Sequence, residues 1–323
     1  MNYYVKYIFV LIILIIFGML FENYKKEEAK KDKMEEYELI KKYLLNDSSL
    51  ARTNKPILWV HVEFNTNARW WPSFGSRNTK CFNQPYQYLT IKSIVDHCAD
   101  SFNVCLIDDD SFNNILPGWN TKIGNLPDPL REHLRQLAIT KTLYNYGGMI
   151  IPSSFICMKN LYPLYNKGCS SAEMFCGELV PKNDVSSLVE FFPSHLIMGC
   201  VKNSEVMHAY MRNLEGVVSG DYTNEIEFTG DTDRWLYQQV LHKKIMPLDA
   251  KYFGVKSISN QPVILDNLLD DDDDFSISTC AFGLYIPQKE LLRRSSYGWF
   301  VSMSAEQVLR SNTIIGRYLL LSN

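Results

Sequence analysis

The sequence lacks the patterns that mark most zinc-binding and nucleic-acid-binding proteins. None of its eight cysteines belongs to a Cys-x-x-Cys pair, and its six histidines form no cluster, so no metal site of this kind is expected. The formal net charge is −3, and the chain after residue 54 has no block of Lys and Arg, which argues against binding to nucleic acid. The even number of cysteines permits disulfides without indicating any.

Long apolar runs are also scarce, and a single one stands out at residues 7–21. It is shorter than the roughly 20 residues of a typical membrane span, but Lys6 can extend toward the membrane surface and tyrosines flank the run. A cleaved signal peptide is the alternative, although no small-x-small cleavage site follows the run. The sequence therefore predicts a single-pass membrane anchor at residues 7–21, after a short tail at residues 1–6.

Residues 22–54 are rich in charge and favour helix, so they are predicted to form a helical stalk. Several lysines follow the apolar run, against Lys6 before it, and the positive-inside rule then favours a cytosolic domain. The lone sequon at residues 46–48 is weak evidence for the opposite side. The side of the membrane stays open, with a lean to the cytosol.

The remaining chain, residues 55–323, has the composition of one globular domain. Overall, 46% of residues are apolar and 21% are charged, which suffices for a sizeable core. Apolar β-rich runs at residues 57–62 and 104–107 alternate with helical patterns at residues 86–100 and 127–146. This alternation predicts an α/β fold with a mostly parallel sheet flanked by helices.

The domain is organised around residues 137–154, where a helix leads into a short strand. Gly147 and Gly148 are expected to end the helix, because glycine accepts the backbone conformation that a helix C-terminus often needs. An apolar strand follows, Pro152 stops its pairing, and the chain emerges at Ser153-Ser154. A polar tip at the end of a buried strand is a common ligand site in open α/β sheets.

This stretch resembles the sugar-nucleotide-binding motif of glycosyltransferase family 32 and its capsular-polysaccharide and Golgi mannosyltransferase relatives. Those proteins run a helix into Tyr-Gly-Gly, an apolar strand and then Asp-x-Asp. Tyr146-Gly147-Gly148 is present, whereas the Asp-x-Asp slots hold Pro152-Ser153-Ser154. The resemblance covers about residues 55–245 and implies a GT-A-like, Rossmann-type domain. The domains of the Golgi relatives face the lumen, so the resemblance argues against a cytosolic domain.

The resemblance also implies which residues bind substrate. His61 matches a histidine that lines the nucleotide pocket, although a hydrogen-bonded core histidine is the alternative. Members of the family carry an Asp and an Arg on this helix. In this sequence those two positions hold Gln136 and Ile139, and Arg135 stands next to the first of them. The substrate-binding residues expected on this basis are His61, Asp108, Asp109, Asp110, Arg135, Gln136, Tyr146, Gly147, Gly148, Ser153, Ser154, His195 and Gly199.

A later segment, Thr229-Gly230-Asp231, resembles a family Thr-Gly-Pro that precedes a helix. Asp231 is therefore the candidate catalytic carboxylate on the acceptor side. The alternative is that Asp231 and Asp233 cap a helix that begins near Arg234.

The implied function is transfer of a hexose from a nucleotide-diphosphate sugar to a glycan or protein acceptor. Without Asp-x-Asp, Mg²⁺ or Mn²⁺ is expected on the diphosphate only if Asp108–Asp110 supply the ligands. Arg131, Arg135 and Lys159 are the cations expected to replace the metal otherwise. The alternative function is that of an inactive glycosyltransferase-fold protein, a binding or structural component of a membrane or virion.

Overall fold

The computed structural model describes residues 55–63, 84–179, 191–220, 225–259, 261–270 and 276–322, without the side chains of residues 225–231. The expected tail, anchor and stalk lie outside the described residues. Within the described ranges, no helix combines the length and the apolar character needed to cross a membrane.

Eight strands in the described part of the chain form two sheets. The larger sheet has the order β2-β1-β3-β6-β5-β7, and a small sheet pairs β4 with β8. The strands are β1 (Ile57–His61), β2 (Asn103–Ile107), β3 (Gly148–Pro152), β4 (Phe155–Cys157), β5 (Met174–Glu178), β6 (Pro193–Cys200), β7 (Ile245–Leu248) and β8 (Gly283–Tyr285).

The larger sheet is mostly parallel. Strand β1 runs parallel to both β2 and β3, and β5 runs parallel to β7. Only β6 is reversed, because it pairs in the antiparallel sense with β3 and with β5. The predicted α/β fold with a mostly parallel sheet is confirmed at this level.

Helices flank both sheets. In the described ranges the α-helices are α1 (Tyr86–Cys98), α2 (Phe112–Ile115), α3 (Leu130–Tyr146), α4 (Tyr162–Ser171), α5 (Glu205–Ser219), α6 (Glu225–Leu241), α7 (Leu265–Leu269), α8 (Gln288–Arg293), α9 (Gly298–Val301), α10 (Ala305–Arg310) and α11 (Ile314–Ser322).

Two buried clusters form much of the core. One joins residues of the larger sheet, including Trp59 and Ile150, to α3, α5 and α6. The other joins α1 and the small sheet to the helices near the C-terminus, with Ile156 and Phe300 fully buried. Strands buried this completely explain why β1 and β3 read as continuous apolar runs in the sequence.

Helix α6 begins earlier than predicted. Thr229-Gly230-Asp231 lies inside this helix, whose first residue is Glu225. The prediction that Asp231 and Asp233 cap a helix beginning near Arg234 is therefore wrong. A glycine inside a helix costs only about 1 kcal/mol relative to alanine, and the complete burial of Leu236 on the same helix offsets this cost. The side chain of Asp231 lies outside the described residues.

Candidate functional site

The carboxyl ends of three parallel strands meet at one edge of the larger sheet. The strand register places His61, the last residue of β1, beside Ile107 of β2 and Pro152 of β3. Asp108–Asp110 and Ser153 follow directly at this edge. Because β6 is reversed, its early residues, including His195, also come to this edge. Open α/β sheets bind ligands at such an edge.

A cleft of about 250 Å³ opens at this edge. Its lining comes from the ends of β1, β3 and β6 and from helices α3 and α8. The predicted site residues that line this cleft are His61, Arg135, Gln136, Ser153, Ser154 and His195.

Arg135 is the centre of an ion-pair network at the cleft. Its guanidinium group donates two hydrogen bonds to Asp109, at 2.8 and 2.7 Å, and a third to Glu63 at 2.8 Å. Nε2 of His61 lies 2.9 Å from the carboxylate of Asp109, and the His61 ring stacks on Phe112. The arrangement fixes the guanidinium group at the cleft wall, since both of its acidic partners hold it in a defined orientation.

The network sets the ionisation of its members. Burial alone would raise the pKa of Asp109, but the hydrogen bonds from Arg135 and His61 outweigh burial and hold that pKa well below its ordinary value of 3.8. Burial opposes the charge of Arg135, and the neighbouring Asp109 and Glu63 outweigh it, so the pKa of Arg135 is raised. Both groups are therefore charged at neutral pH.

The depressed pKa of Asp109 predicts a stability that falls in acid. A lowered folded-state pKa stabilises the fold above the unfolded-state pKa, and this contribution is lost as the pH falls below the ordinary value of 3.8 toward the folded-state pKa. We expect the free energy of unfolding of D109N to be about 2–3 kcal/mol lower than that of the wild type at pH 7. The difference between the two proteins should narrow below about pH 4. Urea unfolding of both proteins between pH 3 and 7 measures this.

D110N is the matched control for that series, because Asp110 is exposed. It is expected to keep the wild-type stability and the wild-type pH dependence. A difference between D109N and the wild type that stays constant down to pH 3 would contradict the ionisation assigned to Asp109.

The three acids after β2 do not fit a divalent-cation site. The carboxylate of Asp108 accepts hydrogen bonds from the backbone N–H and from the hydroxyl of Ser111. These bonds between residues three apart form a local turn. Both oxygens of Asp109 bind Arg135, and Asp110 is exposed. Within the described ranges, no group of three His, Cys, Asp or Glu side chains is placed to hold a metal ion. The expected route to Mg²⁺ or Mn²⁺ through Asp108–Asp110 is therefore not supported by their geometry.

The polar tip after β3 is more buried than expected. Ser153 and Ser154 are 4% and 1% exposed. The Ser154 hydroxyl donates to the carbonyl oxygen of Ile286, and the carbonyl oxygen of Ser153 accepts from Thr90. These bonds hold the tip against its neighbours. The tip therefore shapes the wall of the cleft, and these bonded groups are not open to a ligand.

Four predicted substrate-binding residues lie at the opposite edge of the sheet. The Tyr146 hydroxyl donates to the carbonyl oxygen of Ile115, and Gly147 ends α3 with a φ of 74°. Gly148 begins β3 with a φ of 100°. Gly199 pairs with Met149 next to that same end of the strand. The Tyr-Gly-Gly motif and Gly199 therefore position the strand, and the cleft forms at the other end of it.

Sequence reasoning missed two cations on α8. Lys289 and Arg293 line the cleft and lie four residues apart, which puts them on one face of the helix. Lys289 pairs with Glu132 at 2.6 Å, whereas Arg293 is exposed and has no ion pair with any described residue. The spacing of the two basic residues was a usable signal, but nothing in the sequence connects α8 with the tip of β3.

Of the three cations expected to replace a metal, two are at the cleft. Arg131 lines it and pairs with Asp128, and Arg135 lies in the network described above. Lys159 is not among the lining residues, and its Nζ donates to the carbonyl oxygen of Thr279.

Comparisons with known protein families and with curated proteins find no match to this chain. The geometry of the cleft therefore carries the functional argument.

Proposed function

We propose that the chain is glycosyltransferase-like, binds a nucleotide-diphosphate sugar in the cleft without a divalent cation, and transfers the sugar to a glycan or protein acceptor. One observation carries the proposal: cationic side chains from two helices converge on the tip of β3. Arg131 and Arg135 come from α3, and Lys289 and Arg293 come from α8. Guanidinium groups bind phosphate oxygens in a bidentate manner, so they suit a diphosphate where no metal is held. Arg131, Arg135 and Lys289 are paired with acids of the cleft, so Arg293, which has no ion pair with the described residues, is the cation most open to the diphosphate.

The order of the elements supports a GT-A-like assignment of residues 55–323. A strand ends at His61, the next ends at an acidic cluster, and α3 then runs through Tyr-Gly-Gly into β3. This is the order that the resemblance requires. With the apolar run at residues 7–21, we propose a single-pass membrane protein, and the lysines that follow the run favour the cytosolic side for its domain.

Thermal unfolding of the purified full-length chain tests donor binding. The ligands are UDP-glucose, UDP-galactose and GDP-mannose, each in EDTA and in Mn²⁺. A ligand at a hundred times its dissociation constant stabilises the folded state by about 2.7 kcal/mol. We expect at least one donor to raise the unfolding temperature equally in EDTA and in Mn²⁺. No shift with any donor, or a shift that needs Mn²⁺, would contradict the proposal.

Removing the charge of Arg293 should weaken donor binding without breaking an ion pair among the described residues. It is exposed at the cleft and engaged in no ion pair with the described residues, so R293M leaves no acid unpaired there. Loss of about 1.4 kcal/mol of phosphate interaction corresponds to tenfold weaker binding. We expect R293M to weaken donor binding about tenfold, whereas K159M, away from the cleft, should bind as the wild type does. Titration calorimetry measures both, and equal affinities for all three proteins would remove Arg293 from the site.

A second candidate is donor binding without transfer. It is favoured by the acids that line the cleft, because Glu63, Asp128 and Glu132 are all held in ion pairs with basic residues. A carboxylate held in this way is a weaker base than a free one. Assaying the release of nucleoside diphosphate from a bound donor separates the two candidates.

A further inference from the structure

Two buried cysteines face each other at a place that the cleft does not use. Cys98 is the last residue of α1, and Cys157 is the last residue of β4. Their sulfur atoms lie 3.7 Å apart, both side chains are completely buried, and both are free thiols. The sulfur atoms of a disulfide are about 2 Å apart, so each sulfur would have to move by less than about 1 Å to form this bond.

Hydrogen bonds on both sides of the two cysteines hold α1 against β4. The backbone N–H of Cys157 donates to the hydroxyl of Ser93, which lies on the same helix as Cys98, at 2.9 Å. Beyond the two cysteines, the side chain of Asn160 donates to the hydroxyl of Ser101 at 2.6 Å. The two segments are therefore already aligned, and a bond between the sulfurs needs a rotation of two side chains rather than a displacement of the backbone.

The two thiols differ in acidity. The hydrogen bond with Cys157 outweighs burial and lowers the pKa of Cys98, whereas the same contact and burial both raise the pKa of Cys157. Elsewhere in the domain, burial raises the pKa of Cys105 to about 12 and that of Cys169 to about 11. Because the thiolate is the nucleophile in thiol–disulfide exchange, Cys98 is the sulfur that attacks first.

We propose that Cys98 and Cys157 form a disulfide when the domain folds in the presence of a disulfide oxidant such as glutathione disulfide. The Cys98 thiolate attacks one sulfur of the oxidant, and the first glutathione thiolate leaves. The Cys157 thiolate then attacks the Cys98 sulfur of this mixed disulfide and displaces the second glutathione thiolate. The two cysteines lose two electrons and two protons, and the two glutathione thiols gain them.

The burial of both sulfurs decides when the bond forms. Neither sulfur is reachable in the folded domain, so the exchange takes place before α1 packs on β4. Once the two elements have packed, the same burial protects the bond from reducing agents. Where glutathione is kept reduced, as in the cytosol, the two cysteines stay as thiols. The modification therefore depends on the compartment in which the domain folds.

The bond would connect α1 to the segment that forms the tip of the cleft. Strand β4 follows directly after Ser153-Ser154, and it pairs with β8, which leads into α8. Helix α1 also holds the tip itself, because Thr90 donates to the carbonyl oxygen of Ser153. The bond would join positions 59 residues apart and so reduce the entropy of the unfolded chain. We therefore expect the oxidised protein to unfold at a higher temperature than the reduced protein.

Refolding of the full-length chain tests this inference. The protein is unfolded in guanidinium chloride with dithiothreitol and refolded in detergent, either with dithiothreitol or in a glutathione redox buffer. Remaining thiols are blocked with N-ethylmaleimide. Peptide mapping of the soluble oxidised protein by mass spectrometry should find Cys98 and Cys157 in one cross-linked peptide that reduction separates. The oxidised protein should unfold about 5–10 °C above the reduced protein.

Two variants separate this pair of cysteines from non-specific oxidation. C98A removes the first nucleophile, so its oxidised and reduced preparations should unfold at the same temperature. Cys280 is exposed and lies outside the pair, so C280A, the matched control, should keep the full difference.

Three results would overturn the inference, and none of them bears on donor binding. The first is the absence of the cross-linked peptide from the oxidised wild type, which is decided whether or not C98A folds. The second is a cross-linked peptide with equal unfolding temperatures, which would show that the bond does not stabilise the packing of α1 on β4. The third is an undiminished temperature difference in C98A, which would assign the effect to other cysteines.

Discussion

Replacing Arg135 with methionine is expected to destabilise the fold by about 3–5 kcal/mol, because removing one partner of a buried ion pair leaves the other charge uncompensated. The Arg135 side chain is only 11% exposed, and its removal leaves Asp109 without its two strongest hydrogen bonds. Methionine fills a similar volume, so the loss reports charge and hydrogen bonding more than packing. Urea unfolding at pH 7 measures the change in the free energy of unfolding.

Two further variants make the Arg135 prediction specific. R310M removes an exposed arginine that pairs with Glu306 four residues away, and such pairs contribute only about 0.3–0.5 kcal/mol. The double variant R135M/D109N removes the stranded acid as well, so it should recover stability, with a coupling energy of about 1–3 kcal/mol. Additive losses in the double variant would show that Arg135 and Asp109 do not stabilise each other.

The second large effect is expected for Gly148→Ala, at about 3–5 kcal/mol of destabilisation, from a left-handed backbone and a steric clash together. Its φ is 100°, and an added Cβ would lie 2.2 Å from the carbonyl oxygen of Ile57. That oxygen belongs to the neighbouring strand, so relief requires β1 and β3 to move apart. Thermal and urea unfolding of G148A measure the loss.

Gly216→Ala is the matched control for Gly148. Gly216 lies in α5, an added Cβ there meets nothing within 4 Å, and alanine favours helix by up to about 1 kcal/mol. G216A should therefore be as stable as the wild type or more so. If G148A folds with wild-type stability but loses donor binding, the Tyr-Gly-Gly motif acts on the ligand directly, contrary to its position at the far end of β3.

The backbone of the site was predictable from local patterns. The apolar runs before His61 and Asp108 predicted β1 and β2, and the double glycine correctly marked the end of α3. These features depend on residues close in sequence, where apolar periodicity and glycine conformation act. The larger error was also local: the helix was predicted to begin near Arg234, whereas it begins at Glu225 and buries Leu236 completely.

The side-chain partners of the site were not predictable in the same way. Asp109 and Arg135 were both identified as site residues, but their ion pair joins positions 26 residues apart. Because both carboxylate oxygens of Asp109 bind Arg135, Asp109 is not placed to act as a metal ligand. Lys289 and Arg293 reach the cleft only because the chain returns to it after β8. Nδ1 of His195 lies 3.6 Å from the carboxylate of Asp233, and this contact depends on β6 being reversed and on α6 packing beside it, which no local pattern specifies.

The most direct test of the account is calorimetric titration of the full-length chain with UDP and with GDP, in EDTA and again in Mn²⁺. The cleft supplies cations from α3 and α8 in place of a metal, so we predict that one nucleoside diphosphate binds with the same dissociation constant in both buffers. R293M should weaken that binding in both. Binding that appears only with Mn²⁺, or no binding of either nucleotide to the folded protein, would contradict the central claim.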